Sequence, residues 1–141
     1  METDDGSSAG TVTFTATDRG VLLSADLSGL PADGLRALHV RAAGSCADPG
    51  PLFNPDDAPL GSPLETRGHR PAGSLGNLRA DDDGDGRYEH VEPLISLAAR
   101  ADDPASVLGR ALVVYAQQDD FHTRPDGAPG APVACGLILP L

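Results

Sequence analysis

The stretch DDDGDGRYEHVE, residues 81–92, sets Asp81, Asp83, Asp85, Gly86 and Glu92 at the spacing of a calcium-binding loop, D-x-D-x-D-G-x5-E. Hard divalent cations take oxygen ligands, so the residue types suit that chemistry. The loop requires a helix on each side, however, and the flanking SLGNLRA and PLISLAA read as strand and loop. An acidic turn whose glycines supply positive φ accounts for the run better. A second candidate is His39 with Arg41, two residues apart and therefore on one face of a strand; a solvated strand edge is the ordinary reading of such a pair. A third lies in ETRGHRPAG, where Arg67, His69 and Arg70 crowd together in a polar loop. That loop gains chemical meaning if it folds back over His39 and over Tyr115, the one hydroxyl in the otherwise apolar strand GRALVVYAQQDD.

The elements that must position these groups have period two. TVTFTAT (11–17) alternates Val12, Phe14 and Ala16 against threonines, and GVLLSADL (20–27) places Val21, Leu23, Ala25 and Leu27 on one side after a turn at Asp18-Arg19-Gly20. LRALHVRAA (35–43) sets Leu38 and Val40 against His39 and Arg41. A long Pro-, Gly- and Asp-rich stretch, 44–76, follows without periodicity; such a loop inside a compact domain is uncommon and usually functional. NLRAD, the acidic turn and RYEHV read as a hairpin. Apolar runs at 94–97, 109–116 and 133–139 complete seven or eight strands, with no amphipathic helix and no internal repeat. The pattern predicts an all-β sandwich or Greek-key barrel.

Composition bounds the partners. A chain of 141 residues suits one domain, and ten basic residues, all arginine, stand against 21 acidic ones for a net charge of −11. Phosphate contact wants clustered positive charge, so nucleic acid is a poor partner. No apolar run approaches the roughly 20 residues of a membrane span. The start METDDGSSAG lacks the basic and apolar regions of a signal peptide. Residues 1–9 are expected to be a flexible acidic tail and 10–141 the folded domain. The compartment stays open between cytoplasmic and exported with the signal removed. Cys46 and Cys135 match no zinc or redox spacing, and free thiols and a disulfide are both compatible with them.

LHVRAAGSC, FNP, GSLGN, GRALVVYAQQDD and VACGLI occur in the order and at nearly the spacings of copper/zinc superoxide dismutase, and from Gly10 to Ile138 the chain resembles that family. The resemblance implies an eight-stranded Greek-key barrel with two long loops and a disulfide between Cys46 and Cys135. It also implies four copper positions, which here hold His39, Arg41, Leu52 and Tyr115. The family's zinc positions fall on Ser74, Pro71 and near Ser62, with His69 a displaced substitute, and its catalytic arginine falls on Pro132.

Redox copper wants several imidazoles and structural zinc about four N, S or O ligands. One His, an always-cationic Arg and a Leu supply neither, so no copper or zinc cofactor and no dismutase activity by the family's mechanism are expected. Arg41, His39 and Tyr115 could instead serve as anion clamp, general acid/base and proton donor for an anionic small molecule, with Arg67, His69, Arg70 or His122 reaching over from the loops. Two other classes stand beside that one. The first is a non-catalytic interaction module, a homodimer included, with its site filled in; the second is residual metal binding by scattered histidines or the acidic turn.

Overall fold

The structure, a computed structural model, describes residues 8–61 and 70–140 together with the backbone of Glu2–Thr3. Among the described residues, eight strands form two antiparallel sheets: β1 (Glu2–Thr3), β2 (Gly10–Thr17), β3 (Gly20–Leu27), β4 (Gly34–Arg41), β5 (Ser74–Ala80), β6 (Gly86–Glu92), β7 (Ala111–Tyr115) and β8 (Pro132–Leu137). One sheet runs β1-β8-β7-β4-β5 and the other β2-β3-β6. Alternation sends Leu23, Leu27, Leu38, Val40, Leu112 and Val114 into the core between the sheets, and Leu75 and Leu78, three apart in β5, both reach it because β5 carries an extra residue between Ser74 and Asn77. The opposite face of the larger sheet carries a smaller buried cluster of Ala37, Ala111, Val113 and Tyr115. Val113 and Tyr115 thus share that face with His39 and Arg41, as their parity demands.

Three expectations are corrected. Residues 94–97 form no strand: the segment follows Pro93, makes one parallel bridge between Ser96 and Ser106, and seats Ile95 in the core as a loop. The eighth strand is instead Glu2–Thr3, inside the expected tail, where Glu2 opposes Cys135 and Thr3 opposes Ala134. The acidic turn does not close a hairpin either, because β5 pairs with β4 whereas β6 pairs with β3, so Asp81–Asp85 carries the chain between sheets. The turn is held locally, with the Asp81 carboxylate accepting from the amides of Asp83 and Asp85. Hairpin-like sequence specifies such a turn, but only the strands' other neighbours decide where their ladders go.

The first long loop returns to the sheet at Gly73. There the Val40 amide donates to the Gly73 carbonyl, the Phe53 amide to the Val40 carbonyl and the Gly73 amide to the Phe53 carbonyl. A Cβ at Gly73 would strike the carbonyls of Val40 and Phe53, so only glycine lets three backbones meet. The disulfide joins Cys46 of this loop to Cys135 of β8.

Candidate functional site

Two irregularities in the larger sheet mark the site: β4 shifts register against β5 between Ala37 and His39, and β7 shifts against β8 between Val114 and Tyr115. Such bulges re-aim side chains beside functional sites. His39 is fully buried and its ring lies 5.1 Å from that of Tyr115. Arg41, two residues on, shares the face, and Leu52 forms a backbone bridge with it. The four copper positions inferred from sequence are therefore together in space.

Asp119 organises this floor. Its carboxylate lies 2.7 Å from His39 Nε2 and accepts from the Ser74 hydroxyl at 3.0 Å and the Phe121 amide at 2.8 Å. Asn77 holds the backbone of Asp119 from both sides, accepting from its amide at 2.8 Å and donating to its carbonyl at 3.1 Å. His39 Nδ1 is buried and has no hydrogen-bond partner among the described residues. A carboxylate on one imidazole nitrogen with the other nitrogen unbonded is the arrangement that orients a metal-binding histidine.

The neighbouring positions do not complete it. Arg41 donates from Nε to the Gly50 carbonyl and from Nη1 to Asp126, both at 2.9 Å, and brings a permanent positive charge where a dication would sit. Leu52 has no donor atom. Burial pushes the Tyr115 phenol above its usual range; the charge and hydrogen bond of Arg41 oppose that shift and Asp126 adds to it. At the zinc positions Ser74 spends its hydroxyl on Asp119, and Pro71 offers no side-chain ligand. The donor set does not fit copper, and the described zinc positions do not fit zinc.

Above the floor lies a cleft of about 710 Å³ lined by Arg41, Leu52, Asp57, His122, Arg124 and Asp126 among others. His39 and Tyr115 lie beneath this lining and do not reach it. His122 sits on a turn fastened by the Asp120 carboxylate, which accepts from the amides of His122 and Thr123 and from the Thr123 hydroxyl. Those bonds hold Asp120 down to about 2. Arg67 and His69 lie outside the described residues. Arg70 is turned elsewhere: it is buried, donates twice from Nη2 to the Glu92 carboxylate at 2.8 and 2.7 Å, and donates from Nη1 to the Ser74 carbonyl. Glu92, the twelfth position of the calcium-like run, is thereby engaged in the core, while Asp81, Asp83 and Asp85 cluster on the surface.

Sequence reading missed Asp119 and Asn77. Both lie inside motifs that carried the resemblance, QQDD and GSLGN, but neither sits at a ligand position, so attention to ligands passed over them.

The family model for copper/zinc superoxide dismutase matches residues 8–138. The chain belongs to the copper/zinc superoxide dismutase family. It is 35% identical to a copper-zinc superoxide dismutase of Caulobacter vibrioides across 98% of this chain and 82% of that one. It is 31% identical to an extracellular copper-zinc superoxide dismutase of Brugia pahangi across 98% and 72%. Among solved structures it resembles a superoxide-dismutase-like protein from Bacillus subtilis, with a TM-score of 0.84 at 26% identity over 98% of this chain and 95% of that one. A double mutant of that protein, with a tyrosine and a proline each replaced by histidine, superposes equally well, also with a TM-score of 0.84.

Proposed function

We propose that this family member is not a copper-dependent dismutase and that its cleft binds an anionic small molecule without metal. The observation that carries the first part is the clustering of the four copper positions with one imidazole among them, its Nε2 already held by Asp119. The barrel keeps the place of the site but not its donors. Copper titration followed by dialysis, elemental analysis and a superoxide dismutation assay tests this. No retained stoichiometric copper and no activity above free copper is the expected result, and a stoichiometric, active copper protein would sink the proposal.

The second part rests on the cleft. Arg41, Arg124 and His122 border it in a chain that is otherwise strongly acidic, and an arginine fork suits carboxylate or phosphate. Because His39 and Tyr115 are sealed beneath, they shape the floor and make no contact with a ligand, so binding is favoured over catalysis. A thermal-shift screen of anionic metabolites reads it, since a ligand that binds only the folded state raises stability by mass action. Shifts that vanish in Arg124→Ala are expected; none across a broad library refutes the ligand and leaves the interaction module.

A further inference from the structure

Building on the reading of the Arg41–Arg124 cleft as an anion site, we infer that its ligand is a monocarboxylate with an apolar body about the size of an aromatic ring, and that phosphate and multiply charged anions are disfavoured. Charge selects the single carboxylate. Two arginines and two aspartates stand among the described residues that line the cleft, so their formal charges cancel. Arg41 is already engaged by Asp126 and the Gly50 carbonyl, and any charge on His122 is answered by the Asp120 carboxylate beside it. Arg124 is different: it is exposed and makes no ion pair or hydrogen bond with any described residue. One unspent guanidinium fork matches one carboxylate. A second negative charge on the ligand would meet the Asp126 carboxylate and that of Asp57, which has no cationic partner among the described residues.

Much of the remaining lining is apolar. Pro51, Leu52, Ala58, Phe121 and Pro125 belong to it; a small oxyanion would leave them facing water, whereas an apolar body attached to the carboxylate would cover them. The volume, about 710 Å³, falls within the roughly 300–1,000 Å³ of small-molecule sites. Phe121 carries particular weight. It adopts φ +63°, a left-handed backbone in which a bulky side chain is an outlier. The Asp119 carboxylate holds it there by accepting from its amide at 2.8 Å, and the same carboxylate is fastened below to Ser74 and His39. Asp57 lies in the same region of backbone space at φ +50°. Two of the four non-glycine residues with positive φ among the described residues therefore line this one cleft, and backbone strain of that kind gathers at ligand sites. The buried floor thus fixes an aromatic wall on the same loop as an unpaired guanidinium.

Amide NMR titration of the isotope-labelled chain with phenylacetate, acetate, phenylacetamide, inorganic phosphate and citrate tests this. Phenylacetate should bind about 10- to 100-fold more tightly than acetate, the usual worth of burying an apolar group of that size, and more tightly than phosphate or citrate. Its shifts should centre on residues 121–126. Phenylacetamide, which has the ring without the charge, should bind roughly tenfold or more weakly than phenylacetate. Phe121→Asn removes the ring but keeps a residue that tolerates the left-handed backbone, and circular dichroism can show it folded. It should weaken phenylacetate by roughly tenfold and leave acetate unchanged. Acetate, phosphate or citrate binding as tightly as phenylacetate, or a Phe121→Asn variant that binds phenylacetate undiminished, overturns the ligand class and leaves the anion site standing. Silence toward every anion, or phenylacetamide as good as phenylacetate, overturns the anion site and the ligand class with it.

Discussion

Removing Arg70 should destabilise the protein by about 3–5 kcal/mol, the usual result of leaving one member of a buried ion pair uncompensated. Arg70 and Glu92 are 4% and 0% exposed and joined by two bonds of 2.7–2.8 Å. In Arg70→Met the carboxylate keeps the Leu94 amide at 3.1 Å and His90 Nε2 at 2.9 Å, which places the cost toward about 3 kcal/mol within that range. The pair itself is a different quantity. Its attraction, about 4 kcal/mol at an effective dielectric near 20, is set against a desolvation cost of several kcal/mol per ion. Arg70 Nε moreover has no partner among the described residues, so the guanidinium is incompletely satisfied. The double variant Arg70→Met/Glu92→Met should accordingly recover to within about 1 kcal/mol of the parent, or exceed it. Urea unfolding followed by circular dichroism, with the disulfide intact, measures both. A cost below about 1 kcal/mol for the single variant, or a double variant no better than the single, would refute the account of Arg70 as a buried structural cation.

Reducing the disulfide, or Cys46→Ser with Cys135→Ser, should lower stability by about 4–5 kcal/mol in the chain-entropy model, because the bond closes a loop with a sequence separation of 89; unchanged unfolding midpoints under reduction would contradict it. Gly127→Ala should cost about 1–3 kcal/mol, since its φ is +89° and the new Cβ would collide with the Asp119 carboxylate; a neutral result in thermal unfolding would dissociate the Asp119 network from the fit of the turn. Burial raises both tyrosines, Tyr88 and Tyr115, above 10. The unfolded chain then loses its phenolic protons first, so the stability they contribute is complete below pH 10 and lost as pH climbs through the folded values. Ultraviolet difference titration should show tyrosinate appearing only above the ordinary range while the protein stays folded, and a normal transition for either tyrosine counts against its burial.

Much of the architecture was legible in the sequence because period-two alternation writes the inner face of a sheet directly into the chain: Val21, Leu23, Ala25 and Leu27 are buried as their spacing demands. What alternation does not encode is which strand lies beside which. RYEHV looks like the return limb of a hairpin, and its true partner β3 is fixed by long-range packing. LISL has strand-like composition but enters the core as a loop. In the site, the loss of donors at Arg41, Leu52 and Tyr115 was plain from residue types at aligned positions. The burial of His39 under Asp119 was not, because the two are 80 residues apart and only the folded loop brings a carboxylate over the imidazole. Arg70 shows the same limit. Its place beside His69 suggests a loop cation facing solvent, whereas the fold turns it inward to Glu92.

The bond between Asp119 and His39 changes what a surviving histidine means in a barrel of this kind. Because the carboxylate of Asp119, a residue itself held by Ser74 and Asn77, closes on it, an imidazole can be retained for purely architectural reasons: exchanging it would take a partner from a buried carboxylate. Persistence of His39 in kindred chains is therefore no sign of copper. The informative positions are Arg41, Leu52 and Tyr115, none of which is a histidine here.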